Sequence, residues 1–154
     1  MKPQPFQRFL DDHRDCVFRF LVAAVGRDAA DDCFQETFLA AMRAYPRLRA
    51  DSNPRAWVLT IAHRKAVDHH RARARRAVPV GALPDAPAPE DPERDDEVWE
   101  RVRALPPKQR AAVLLRFAGD LSHREVGAAL RCSEEAARRS AHEGLKRLRQ
   151  EMTP

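Results

Sequence analysis

The chain has 154 residues, a third of them charged, and 28 Lys and Arg outweigh 23 Asp and Glu for a net charge of +5. No apolar run approaches the roughly 20 residues needed to span a bilayer, and the opening MKPQPFQRFLDDHRD lacks a signal-type apolar segment, which excludes membrane insertion and points to a soluble, cytoplasmic protein. Three scattered cysteines, Cys16, Cys33 and Cys132, fit neither a zinc pattern nor a paired disulfide framework and are expected as buried, reduced thiols.

Charge alternates along the chain: +6 over residues 1–76, −6 over 77–97 and +5 over 98–154. Two basic blocks on either side of an acidic one suggest two small domains on a tether and a polyanionic partner, since each Lys or Arg set on a phosphate releases a condensed counterion.

Apolar residues Phe6, Leu10, Val17, Leu21 and Ala24 recur at helical spacing until Gly26, which predicts a first helix over 6–25. A second starts near Asp28, with Asp28, Asp31 and Asp32 favoured by the dipole of its first turn. Its inner stripe is Ala30, Phe34, Phe38, Ala41 and Tyr45, and Pro46 ends it. Asn53 as N-cap and Pro54 at the first helical position open a third helix. That helix turns Trp57, Val58, Ile61, Ala62 and Ala66 inward, leaves Arg64, Asp68, Arg71 and Arg75 outside, and ends in RARARR. Asp68 is placed to brace Arg64 and Arg71 at helical spacing.

Residues 77–97 hold five prolines and most of the acidic excess, and read as a linker. Extended, about 20 residues reach about 60 Å. It serves either as a solvated tether or as an acidic mimic of nucleic acid.

The second block opens with Val98, Trp99, Val102 and Leu105 on a short helix closed by Pro106. From Pro107 to Gly119 a further helix turns Ala111, Leu114, Leu115 and Ala118 inward. Ser122 and Glu125 form a capping box for the next, which carries Val126, Ala129 and Leu130. A turn at Arg131 and Cys132 follows, and Ser133 caps a last helix with the buried stripe Ala137, Ala141, Leu145 and Leu148. The whole is an all-α chain: a three-helix domain, a linker, and a four-helix domain ending in a helix-turn-helix.

DDCFQETFLAAMRAY (31–45), NPRAWVLTIAHRKAVDHHR (53–71) and LPPKQRAAVLLRF with LSHREVGAAL and CSEEAARRSAHEGLKRLR (105–149) resemble, in that order, the motifs of the extracytoplasmic-function sigma factors, a branch of the sigma-70 family. The resemblance implies a sigma region 2-like domain over 1–76 and a region 4-like domain over 98–154, with no catalysis, metal or cofactor. It further implies that the chain binds core RNA polymerase at the β′ clamp helices and β flap, reads two promoter elements, and helps melt the downstream one. An anti-sigma factor is a further partner that it suggests.

On that basis the outer face of the second helix, Asp28, Asp32, Gln35, Glu36, Leu39 and Arg43, is assigned to the polymerase. Arg64, Lys65, His69, Arg71, Arg73, Arg75 and Arg76 are assigned to the unpaired downstream strand, with loop 47–53 as its base pocket. Arg138, Arg139, His142, Lys146 and Arg149 are assigned to the upstream duplex, where Arg suits bidentate contact with guanine. Three departures from the family pattern occur, one of them a pair: His63 and Arg64 where Arg-Asn is common, Arg131 in place of a turn Gly, and Ala137 in place of Val. If Arg131 is left-handed, its strain is roughly 1 kcal/mol.

Two other readings compete. The C-terminal segment alone would suit a stand-alone helix-turn-helix regulator, though no coiled-coil repeat for dimerisation is present. His63, Asp68, His69 and His70 raise a metal-dependent enzyme, but neighbouring histidines diverge by about 100° on a helix and no H-E-x-x-H spacing occurs.

Overall fold

A computed structural model describes residues 4–49, 51–76 and 95–152 of the chain. Seven α-helices make up the described residues, with no strand among them. The predicted linker lies outside these residues as far as position 94, but its last three residues belong to a helix that begins at Asp95.

In the N-terminal unit, α1 (Phe6–Val25), α2 (Arg27–Ala44) and α3 (Pro54–Arg76) pack pairwise on one another. Gly26 separates α1 from α2 at φ 85°, a conformation other residues adopt only with strain. A single 3-10 turn, Tyr45–Arg47, accommodates Pro46. Asn53 Oδ1 accepts the Ala56 amide at 3.2 Å and so caps α3 as its sequence predicts.

The core of this unit is aromatic. Phe9 lies 5.1 Å from Tyr45 and 5.7 Å from Trp57 between ring centroids, in tilted and edge-on arrangements that add to simple burial. The Tyr45 hydroxyl donates to the Gln4 carbonyl and ties the N-terminal segment down. Phe9, Phe20 and Leu59 are completely buried although none lies on the predicted stripes, whereas Phe6, Leu10, Phe34, Trp57 and Ile61, which do, are only partly covered.

The C-terminal unit contains α4 (Asp95–Arg103), α5 (Pro107–Val113), α6 (His123–Leu130) and α7 (Glu134–Met152). Beyond Val113, α5 widens into a π-helical turn, Leu114–Ala118, rather than continuing regularly to Gly119. Asp120 then turns left-handed at φ 55° and Leu121 N–H returns to the Leu115 carbonyl at 3.1 Å. Both hydrogen bonds of the Ser122–Glu125 capping box are present, 3.1 and 2.9 Å long. Ser133 Oγ caps α7 through the Ala136 amide at 3.0 Å.

Arg131, between α6 and α7, is left-handed at φ 58°, ψ 43°. The turn there is so tight that a Cβ on Gly127 would lie 2.8 Å from the Cys132 carbonyl oxygen. Cys33 is buried, but Cys16 is half-buried and Cys132 is exposed in this turn, so the expectation of three buried thiols holds only for Cys33. Burial, with the Glu36 and Asp32 carboxylates nearby, pushes the Cys33 thiol up to about 11, which disfavours the thiolate form.

The two units are joined. Helix α1 packs on α4 and on the π turn, α3 packs on α6, and buried residues of both halves form one continuous core. The chain thus has the two small helical units that the alternating charge suggests, packed against one another.

Candidate functional site

At 100° per residue, Asp28, Asp32, Gln35, Glu36, Leu39 and Arg43 fall within an arc of about 100° on α2, and all six are exposed. Leu39 is 50% exposed, and Met42, one turn further on, is 49% exposed. Two large apolar side chains therefore stand in water beside acidic and amide groups, an arrangement suited to a partner that is part apolar and part cationic. Met42 escaped the sequence reading because methionine is expected inside; its place three residues after Leu39 was the available signal.

The basic residues of α3 divide into two sets. Arg64, Arg71 and Arg75 share one exposed stripe, and Arg73 and Arg76 are exposed in the last turns. Lys65 and His69 lie about 100° and 140° round the axis from Arg64, toward the core. Lys65 is half-buried and His69 has its Nε2 buried without a partner, so these two do not join the exposed stripe. Asp68 is exposed and forms no ion pair with Arg64 or Arg71 among the described residues.

Two histidines of the same helix serve the interior. His70 Nε2 donates to the Ala24 carbonyl at 2.8 Å, closing a helix-end acceptor. His63 has its pKa lowered to about 4, by burial first and then by the Arg110 and Arg64 guanidiniums and His70. Its Nδ1 is buried and unpartnered.

On α7, Arg138, Arg139, His142, Lys146 and Arg149 occupy an arc of about 100°, all exposed, while Ala137, Ala141, Gly144 and Leu148 are buried on another face. Glu134 Oε1 lies 3.4 Å from Arg138 and partly occupies it. Arg131, in the turn that precedes α7, and Arg124, on α6, are also exposed. Sequence reasoning treated Arg131 only as an awkward turn residue; its charge in the loop between two helices was the available signal that it would be exposed there.

Thus one acidic-apolar face on α2, one arginine stripe on α3 and one basic face on α7 are displayed by a scaffold in which no helix among the described residues is long and apolar enough to cross a membrane.

Residues 9–76 match the family described as Sigma-70 region 2, and residues 95–148 match Sigma-70, region 4. The ECF RNA polymerase sigma factor SigD of Mycobacterium tuberculosis (strain ATCC 25618 / H37Rv) is 37% identical over 158 residues, covering 93% of this chain and 74% of that protein. The RNA polymerase sigma factor CarQ of Myxococcus xanthus is 32% identical over 155 residues, covering 94% and 87%. In fold, the chain is similar to the sigma factor RpoE solved in complex with the anti-sigma factor NepR from Bartonella quintana, with a TM-score of 0.77, 21% identity and 94% of each chain covered. The chain belongs to the extracytoplasmic-function RNA polymerase sigma factors of the sigma-70 family.

Proposed function

We propose that this sigma factor acts in the cytoplasm by binding core RNA polymerase and directing it to promoters that carry two recognition elements. The N-terminal domain, 1–76, docks on the polymerase clamp through Asp28, Asp32, Gln35, Glu36, Leu39 and Arg43, with Met42 extending the apolar part. Its α3 holds the unpaired downstream strand through Arg64, Arg71, Arg73, Arg75 and Arg76, while loop 47–53 receives a base. Residues 77–97 link this domain to 98–154, which contacts the polymerase flap and sets α7 in the major groove of the upstream element.

The observation that carries this reading is the basic face of α7. Five cationic or titratable side chains lie on one exposed arc, directly after a capped helix and a tight turn. Arg138 and Arg139 contact base edges there, and Lys146, Arg149 and Arg131 contact phosphates. Nothing in this scheme is catalytic; the work is done by binding. Because RpoE was solved with an anti-sigma factor, and CnrH with the cytosolic domain of CnrY, a protein antagonist of that kind fits this chain too.

Run-off transcription with core polymerase on genomic fragments tests the reading. Discrete transcripts that require both proteins are expected, and Asp32→Arg combined with Leu39→Ala abolishes co-purification with polymerase. A protein that binds duplex DNA but neither associates with polymerase nor initiates would instead be a stand-alone regulator.

A further inference from the structure

Helices α1 and α2 leave a groove of about 680 Å³ at the surface of the N-terminal unit, lined by Arg14, Asp15, Phe18, Arg19, Asp31 and Phe34. A row of rings runs into it from the core. Phe38 is buried, Phe34 lies 4.8 Å from it and is half-buried, and Phe18, edge-on and 6.0 Å from Phe34, is 37% exposed. Helical spacing sets the lining, since Arg14 and Asp15 sit one turn before Phe18, and Asp31 one turn before Phe34.

The charges of the groove are balanced and unused. Among the described residues, Arg14, Asp15, Arg19 and Asp31 form no ion pair, although Asp15 and Arg19 stand four apart on one helix. Two guanidiniums and two carboxylates around a pair of rings make a patch that complements its own image, because a two-fold axis can set the cations of one copy opposite the carboxylates of another. The other exposed faces lack this property. The α7 face and the α3 arginine stripe are cationic and repel their own images, and the α2 face sets Asp28, Asp32 and Glu36 against Arg43 alone.

We propose that a second copy of this chain occupies the groove, giving an isologous dimer in which Phe18 of each protomer packs on the Phe18–Phe34 pair of the other, and Arg14 and Arg19 meet Asp15 and Asp31 across the axis. The area offered is small beside the roughly 800 Å² per partner of a stable interface, which places the dimer among transient ones, with a Kd on the order of 10–100 μM. The groove also adjoins the outer face of α2, because Asp31 lies only about 40° round the helix from Gln35. A protomer seated in the groove overhangs that face, so the dimer holds sigma factor in reserve, away from the enzyme. The exclusion of polymerase rests on α2 as the polymerase face; the dimer itself does not.

Sedimentation velocity on the full chain from about 5 to about 300 μM, a span that brackets the expected affinity, is the test. Wild type should pass from monomer to dimer across it, and Phe18→Ala should weaken association by about tenfold or more. Arg14→Glu with Arg19→Glu leaves four carboxylates in the groove, and Asp15→Lys with Asp31→Lys leaves four cations. Each double variant should stay monomeric alone, and an equimolar mixture of the two should form a heterodimer, which misfolded chains would not do. A wild type that is monomeric at the highest concentration would overturn the proposal and leave the groove to a different protein. A dimer that persists in both double variants, or variants that stay apart when mixed, would overturn it equally. With core polymerase added, the complex should carry one copy of the chain, and a complex carrying two would refute the exclusion. No complex at all would remove the polymerase reading and the exclusion with it, while the sedimentation result would stand.

Discussion

Asn53 and Glu125 are 72 positions apart in sequence, yet the amide of one donates to the carboxylate of the other at 2.6 Å. Each also caps a helix: Asn53 Oδ1 closes the start of α3 and Glu125 Oε1 the start of α6. Substitution can separate these duties. Asn53→Ala removes both and should cost about 1 kcal/mol in cap energy alone, seen as a lower denaturation midpoint. Asn53→Asp keeps an acceptor for the Ala56 amide but sets two carboxylates face to face, so the helix should survive while the radius of gyration rises. An Asn53→Asp chain as compact as wild type would show that this contact does not hold the units together.

Gly144 and Val113 record how closely α7 approaches α5. A Cβ on Gly144 would lie 2.7 Å from Val113 Cγ2, and Val113 is itself buried. Gly144→Ala should destabilise the protein by about 1–3 kcal/mol despite alanine's better helix propensity, because a close-packed core cannot absorb the methyl. Adding Val113→Ala opens space and should return part of that loss in a double-mutant cycle. Purely additive losses would refute the steric account.

Arg131 combines strain with charge. At φ 58° it should be outperformed by glycine, so Arg131→Gly should raise stability by roughly 1 kcal/mol. The same change removes an exposed cation beside α7. Duplex affinity should then fall alike on all sequences, and the salt dependence should flatten by about one counterion. Loss confined to one promoter sequence would make Arg131 a base-reading residue instead.

His63 sets a pH dependence. Burial and the nearby Arg110 and Arg64 charges hold it near 4, against an ordinary value of 6.5, so it is neutral in the native state at pH 7. Below pH 6.5 the unfolded chain takes up a proton that the native state refuses until about pH 4. Stability should therefore fall across that window, by up to about 3 kcal/mol, and be independent of this group above it. His13, His70 and His123 are lowered by burial as well and act in the same direction. Only the difference between wild type and His63→Gln isolates the group; equal slopes between pH 6.5 and 4 would contradict the assignment.

Local signals in the sequence were reliable where one residue does one job. Gly26 ends α1 at Val25, Asn53 and Pro54 start α3, and Ser122 with Glu125 starts α6, because caps and glycine act within a turn. Burial was harder to read. Helix α1 is covered by α2, α3, α4 and the π turn, so its apolar face is wider than one stripe and takes in Phe9 and Phe20. The π turn has no distinct periodicity and was read as regular helix. Among site residues, the faces of α2 and α7 follow from helical spacing alone. That Lys65 and His69 are partly buried was not legible, because a run of basic residues conceals which of them turn inward. Contacts between guanidinium groups and main-chain carbonyls, as at Arg55 and Arg103, leave no mark in sequence, so the closed arrangement could not be foreseen.

The continuous core has a spectroscopic consequence. Trp57 stands in the N-terminal unit and Trp99 in α4, both packed against the same cluster of buried residues. While the chain is closed, emission from the two indoles should report one cooperative melting event, since neither half can lose its packing without disturbing the other. In a variant that parted the halves, the same two residues would become independent thermometers, one for each half of the protein.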